Sequence, residues 1–396
     1  MKRFLRSPTQ GFTLAELLGG VIASTIFLAG TTGIVVQLLI ADRREAARTE
    51  TQAEMQAALN FIADDLRQAV YIYGDEFTGT NFTTFTARTS APDGIPDLNQ
   101  ILSPSTTVAA GGLDLIPKSG STAFPDRPIL AFWRVSTLSQ DCRPTTTVTP
   151  DPTPPTPLPT DTTVAAKNSF RSTGVAFELV VYYLRWNNHN PPSSDTVELT
   201  WRNQGPARIH RRVYRPFING DCDTSSTFGS DLNESYVAPD PPFFSRWPFD
   251  TSTPEKIVTI TGTEIAATSG GVTAIRAGNL GGGGTGNRQG FTPNTVVVSY
   301  VDRSNVTVTC PANYSLGSSF SRIGFYACVR IKDTQNNPSL AQDVYLYLMG
   351  NAYNRAGFAP ANSPPAFDCG ANGDPGYCPQ VSTQVFARTY FDRSPR

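Results

Sequence analysis

From Phe12 to Ala41 the chain is almost purely apolar, and Glu16 is its one charged residue. Leu17 to Ala41 carries no charge at all and exceeds the roughly 20 residues a helix needs to cross a bilayer. Lys2, Arg3 and Arg6 precede this run with no acidic residue among them. The positive-inside rule therefore places the N-terminal end in the cytoplasm and everything after Ala41 outside it. An ordinary secretory signal also has a basic start and an apolar run, but its apolar region is only about 7–15 residues long and ends in small residues.

After Asp42 the pattern changes. Met55, Leu59, Ile62, Leu66, Ala69 and Tyr73 recur at alternating intervals of four and three, which is one face of a helix. The two patterns together predict an unbroken helix from Phe12 to Tyr73, about 93 Å long at 1.5 Å per residue, ending at Gly74. Its first part, 12–41, would span the membrane. Its second part, 42–74, would be an amphipathic spine lying under a sheet, with Arg43, Arg44 and Glu45 near the headgroups.

Beyond Gly74 the helical period is lost, and short β-rich runs alternate with Gly, Pro, Asn and Ser turns. Val175 to Trp186, the alternating Val197, Leu199 and Trp201, and Ile209 to Val213 predict a three-stranded meander closed by the turn at Asn203-Gln204-Gly205-Pro206. Further strands are expected at Ile129–Val135, Ile257–Ile260, Val296–Val301, Val306–Cys310, Phe325–Ile331, Val344–Met349 and Val385–Tyr390, enough for two subdomains. Pro144 to Thr163 is nearly all Pro, Thr and Asp, so 143–165 reads as an insertion that cannot bury a core. The expected fold is α+β, a long N-terminal helix packed on a β-rich antiparallel sheet domain with long loops, occupying 75–396.

The carboxylate of Glu16 lies inside the apolar run, where an acid at the bilayer centre costs about 2.5–3.5 kcal/mol on insertion scales. It therefore calls for a partner. An amine exposed by cutting before Phe12 would supply one, since Glu16 stands one helical turn further on. In a staggered bundle the carboxylate of one subunit would meet the ammonium of the next at low dielectric.

Gly11, Phe12, Thr13, Leu14, Ala15, Glu16, Leu17 and Leu18 read GFTLAELL, which closely resembles the type IV prepilin signature. The resemblance implies an 11-residue leader, removed by an inner-membrane aspartyl prepilin peptidase that cuts between Gly11 and Phe12 and N-methylates Phe12. It also assigns Glu16 the assembly role. Ala15 departs from the bulkier residue usual before the glutamate. Where many major pilins carry a mid-helix proline, this chain has Gly30 and Gly33, which would permit local unwinding or simply close packing.

Ala58 to Ala69 resembles the corresponding helix of larger minor pilins and of the J-type pseudopilins of type II secretion. LRQAVYIYG at 66–74, LAFWR at 130–134, VYLYLMGNA at 344–352 and TQVFAR at 383–388 resemble the cyanobacterial hormogonium polysaccharide secretion pseudopilins. That likeness implies a minor subunit of a type IV pilus-like apparatus in polysaccharide secretion and gliding motility. Its partners would be the prepilin peptidase, other pilins or pseudopilins and the inner-membrane assembly platform, with a polysaccharide as a further candidate. The protein would reside in the inner membrane and then in a pilus or pseudopilus, in the periplasm or at the cell surface. A type II secretion pseudopilin and a pilus-tip adhesin for surface glycans remain alternatives.

Composition adds boundaries. The 32 Lys and Arg nearly balance 33 Asp and Glu, so there is no electrostatic footprint for nucleic acid. Without Lys2, Arg3 and Arg6 the 32 basic residues become 29, a mildly acidic body. Six cysteines, all beyond the apolar run, suit an oxidising compartment. Proximity suggests Cys310 with Cys328, Cys369 with Cys378, and Cys142 with Cys222, among the 15 pairings that six cysteines allow.

Little else points to chemistry. His189 and His210 lack partners at metal-ligand spacing and read as surface histidines. Asp221, Asp223 and Asp231 flank Cys222 without the Gly and Glu of a calcium loop, and Gly278–Gly290 lacks the Gly-Lys-Ser/Thr of a phosphate loop. Asn81, Asn233, Asn305 and Asn313 match the glycosylation pattern, but a prepilin signature implies a prokaryote, where such matches occur by chance. No catalytic constellation stands out, so the expectation is a non-enzyme with no cofactor and no metal. Arg208, Arg211 and Arg212 concentrate positive charge near Trp201 and Tyr214. They read either as a solvated sheet face or as a contact for a glycan.

Overall fold

The computed structural model describes residues 13–73, 126–137, 175–187, 196–201, 204–215, 256–258, 264–266, 295–304, 306–318, 321–330, 342–357, 369–370 and 375–387. The leader, the Gly11-Phe12 bond, Cys142, Cys222, His189, the three loop aspartates, Asn81, Asn233, Asn305, the Pro/Thr insertion and the Gly-rich stretch lie outside these residues. Helix α1 runs from Leu14 to Arg67, 54 residues without a break, or about 81 Å. Gly30 and Gly33 lie within regular helix.

The expected end of the helix needs correction. α1 stops at Arg67, with Gln68 as its C-cap, and Ala69–Ile72 forms strand β1. Val70, Tyr71 and Ile72 are β-branched or aromatic residues that favour a pleated surface over a helix. Here they pair antiparallel with strand β2, Asp126–Thr137. The apolar period still serves the core through Ala69, whereas Tyr73 turns to the opposite face of the sheet, where its hydroxyl accepts from Trp133 Nε1 at 2.8 Å.

Two antiparallel sheets lie on the second half of α1. The first has the order β1-β2-β3-β4-β7, with β3 at Val175–Trp186, β4 at Ala207–Tyr214 and β7 at Thr295–Val301. The second has the order β11-β10-β9-β8, with β8 at Tyr314–Leu316, β9 at Phe325–Arg330, β10 at Asp343–Met349 and β11 at Gln380–Phe386. A small hairpin joins β5, Lys256–Val258, to β6, Glu264–Ala266. The sheets meet where Val301 bridges Gly350, Asp302 N donates to Met349 O and Asn351 N donates to Tyr300 O.

The meander also needs correction. β3 pairs directly with β4 over eight residues, and Thr196–Trp201 between them is a short helix, α2. Since β3 is already flanked by β2 and β4, no sheet edge remains there for a third strand, and the segment satisfies its backbone locally. Val306–Cys310 joins no strand, and β11 begins at Gln380 and ends at Phe386, upstream of the span expected from Val385.

One core binds these parts. Met55, Ala58, Leu59, Ile62, Ala63 and Leu66 of α1 pack with Phe132, Val180, Tyr182, Ile209 and Val298 of the first sheet, and with Phe325, Val329, Val344, Leu346 and Val385 of the second. Alternation along each strand supplies the inward residues. The Cys310–Cys328 disulfide ties the segment after β7 to β9, and Cys369–Cys378 ties two chain segments that pack beside the end of β10.

Gln342 closes the exposed side of β1. Its amide Oε1 accepts from Ile72 N at 2.9 Å and its Nε2 donates to Ile72 O at 3.1 Å, so one side chain reproduces the bonding of a neighbouring strand. Replacing it leaves two buried backbone groups unpaired. Gln342→Ala is expected to lower stability by about 1–3 kcal/mol, measured as the shift in the urea midpoint of the detergent-solubilised protein.

Candidate functional site

α1 has two halves of opposite character. Every large apolar side chain from Leu14 to Ile40 is exposed, Leu14 by 86% and Ile40 by 48%. None of its most apolar stretch is buried, and the helix is long and apolar enough to cross a membrane. Its hydroxyls are satisfied within the helix itself. Ser24 donates to Val21 O, Thr25 to Ile22 O, Thr31 to Phe27 O, and Thr32 to Leu28 O, at 2.7–3.0 Å. That leaves no side-chain donor from these residues unmatched in a hydrocarbon phase.

Glu16 sits at the start. Thr13 is the N-cap, and its hydroxyl accepts from Glu16 N while Glu16 Oε2 accepts from Thr13 N at 3.1 Å. This reciprocal capping box satisfies two of the orphan N–H groups of the first turn. It also directs the carboxylate toward the N-terminal end of its own helix, where the helix dipole favours negative charge.

The other half is locked to the sheets by a buried charged centre. Asp65 lies on the buried stripe of α1, 7% exposed. Its Oδ1 accepts from Arg134 NH1 at 2.8 Å and from Arg211 NH2 at 3.3 Å. Its Oδ2 accepts from Arg211 Nε and from the Tyr182 hydroxyl, both at 2.6 Å. Arg134 also donates to Glu178 Oε2 through Nε and NH2. Two carboxylates and two guanidiniums thus join α1 to β2, β3 and β4 with no net charge. Burial, followed by the charge of Asp65 and the hydrogen bond to it, holds the Tyr182 phenol well above its ordinary pKa, so it stays a neutral donor.

Two cation–aromatic contacts fix the rest of the spine. Arg355 donates to Thr51 Oγ1 and Glu54 Oε1 and lies 4.1 Å above the Tyr300 ring. Arg44 lies 4.5 Å above the Tyr377 ring, so this guanidinium engages the folded domain. Asp65 was the residue that sequence reasoning missed. The signal was present, since position 65 is three beyond Ile62 on the apolar stripe, where a lone acid demands a buried partner.

The three arginines expected to line one surface divide between two faces of β4. Arg211 points to α1 and Asp65. Arg208 and Arg212 point the other way, because successive residues of a strand face opposite sides. Arg208 is fully buried, donating to His210 Nε2 at 2.6 Å and to Asn187 Oδ1, and Arg212 donates to the Tyr183 hydroxyl at 2.9 Å. With Arg208 buried and Arg211 turned onto the helix, the three form neither a solvated face nor a continuous contact for a glycan.

His210 is likewise no surface histidine. It is buried and stacked on Tyr183 with ring centres 5.2 Å apart. Burial, then the charges of Arg208, Arg185 and Arg212, pushes its pKa down to about 2, so it remains neutral and accepts from Arg208. Among the described residues, no group of three or more His, Cys, Asp or Glu is placed to hold a metal. No family model, curated protein or solved structure matches the chain.

Two outcomes follow from these buried charges. Asp65→Ala strands the Arg211 guanidinium and is expected to cost about 3–5 kcal/mol, read from chemical denaturation followed by tryptophan fluorescence. His210 has a folded pKa below its ordinary 6.5, so its stabilisation is complete above that value and is lost as pH falls below it. Its contribution should decline by at most about 1.4 kcal/mol per pH unit. His210→Gln, which keeps an acceptor for Arg208, should flatten the stability profile between pH 6.5 and 4.

Proposed function

We propose that this chain is a type IV pilin-like subunit, a minor pilin or pseudopilin that acts by joining or priming a filament and not by turnover. One observation carries the reading. A single rigid helix presents an exposed apolar half interrupted by one carboxylate, and its other half is anchored without slack under two sheets. An exposed apolar surface of this length needs a lipid phase or other helices around it. The anchored half makes the folded domain follow wherever the helix packs.

In this reading a prepilin peptidase cuts between Gly11 and Phe12, and the new ammonium at Phe12 is N-methylated. The basic leader stays in the cytoplasm while the disulfide-bearing domain stands outside. The capping box supports the assembly role of Glu16, because its carboxylate is held at the very end of the helix. A neighbour's Phe12 ammonium arriving there would add an ion pair at low dielectric to bonds that are otherwise neutral. The phrases that resemble polysaccharide secretion pseudopilins favour work in polysaccharide export and gliding motility, alongside other pseudopilins and an inner-membrane platform.

Mass spectrometry of the protein recovered from its membranes is expected to find a chain beginning at N-methyl Phe12. A chain retaining Met1 to Gly11 overturns the reading. Glu16→Ala should be processed and inserted normally, yet fall at least tenfold in the sheared filament fraction.

A further inference from the structure

We propose that the face of the second sheet turned away from α1 is a binding platform for a neutral polysaccharide. Val344, Leu346 and Leu348 of β10 point to the core, so Tyr345 and Tyr347 point outward. The register places Tyr347 opposite Tyr326 and Ser382, and Tyr345 opposite Cys328 and Gln384. Tyr326 and Tyr347 stack with ring centres 4.5 Å apart and planes 8° from parallel, and Tyr314 meets Tyr345 edge-on at 4.9 Å. The result is a row of four half-exposed tyrosines across three strands, with exposed Ser382 and Gln384 beside it.

The polar groups along this row are held in place by one carboxylate. Asp343, 1% exposed, accepts from the Tyr314 hydroxyl and from Gln384 Nε2 at 2.7 Å, and pairs with Arg330 Nε at 2.6 Å. It therefore ties β8, β9, β10 and β11 together at a single point. Rings locked by stacking and polar groups locked by Asp343 lose little freedom when a ligand arrives, which is the condition for useful affinity from a shallow surface.

The chemistry selects the ligand. Sugar rings present apolar C–H faces and hydroxyl rims, and this face offers aromatic rings beside amide, hydroxyl and guanidinium groups. From Tyr326 through Tyr347 and Tyr345 to Tyr314 the ring centres lie 4.5, 6.4 and 4.9 Å apart, close enough for one extended chain of sugars to touch several of them. The sole charges on the face among the described residues, Arg330 and Asp343, cancel each other. An anionic polymer or a phospholipid headgroup therefore gains no electrostatic attraction here. If α1 mediates assembly as proposed above, this face is directed outward, away from the bundled helices and toward the medium.

The test uses the full chain in detergent micelles, run in native gels cast with hydroxyethylcellulose, laminarin or galactomannan. Retardation by at least one of these neutral polymers, unchanged by high salt, is the expected result, with at least a fivefold loss of affinity in a Tyr345→Ala, Tyr347→Ala variant. Titrating the wild-type protein with the retarding polymer should also perturb tyrosine absorbance, a readout independent of whether the variant folds. The proposal is overturned if no neutral polymer retards the protein, if the double variant is retarded as strongly, or if only alginate retards it in a salt-sensitive way. It is equally overturned if the double substitution changes oligomeric state while no neutral polymer binds, since the face is then a protein interface. Glu16→Ala should leave the retardation intact, so failure of assembly and failure of glycan binding are separate results.

Discussion

The Asp65 carboxylate has to reside in the protein interior, and the arrangement of the helix against the first sheet follows from that constraint. An acid in this position is tolerated only when its lone pairs meet donors of opposite charge. Arg134, Arg211 and Tyr182 reach it from three adjacent strands, so rotating α1 by one residue or sliding it by one turn would draw the carboxylate away from all three donors. Apolar packing holds the helix against the sheets, but packing tolerates small slips. The ionic centre supplies the register. Arg355 and Arg44 extend the same control toward the exposed apolar half of the helix.

Much of this architecture was legible in the chain. The change from an uninterrupted apolar run to a three-and-four period located both halves of α1, and Met55, Leu59, Ile62, Leu66 and Ala69, which the period names, are all buried, along with Ala58, Ala63 and Asp65, which it does not name. Two of the cysteine pairs followed from proximity. Most strands followed from alternation, including β2, β3, β7, β9 and β10.

The failures share a physical origin, which is that pattern and composition are local while pairing partners are not. Ala69 and Tyr73 fit the helical stripe, but β2 offered Ala69–Ile72 a ladder, and the β propensity of Val70, Tyr71 and Ile72 decided the outcome. Val197, Leu199 and Trp201 alternate like a strand, yet both neighbours of β3 are taken. Arg208, Arg211 and Arg212 look like a charged surface when counted, and only the strand's two-sidedness reveals that one serves the helix and another is buried beside a neutral histidine. The tyrosine row was hidden for the same reason, because Tyr314, Tyr326, Tyr345 and Tyr347 become neighbours solely through register.

The unbroken length of α1 has a mechanical corollary. A rod clamped along one half and free along the other is a lever, and its fulcrum lies near Arg44, where the clamp begins. Any tilt imposed on the free arm by surrounding lipid or helices is delivered undiminished to both sheets, with no hinge in between to absorb it. Orientation of the whole folded body is thereby set by whatever surrounds the free arm.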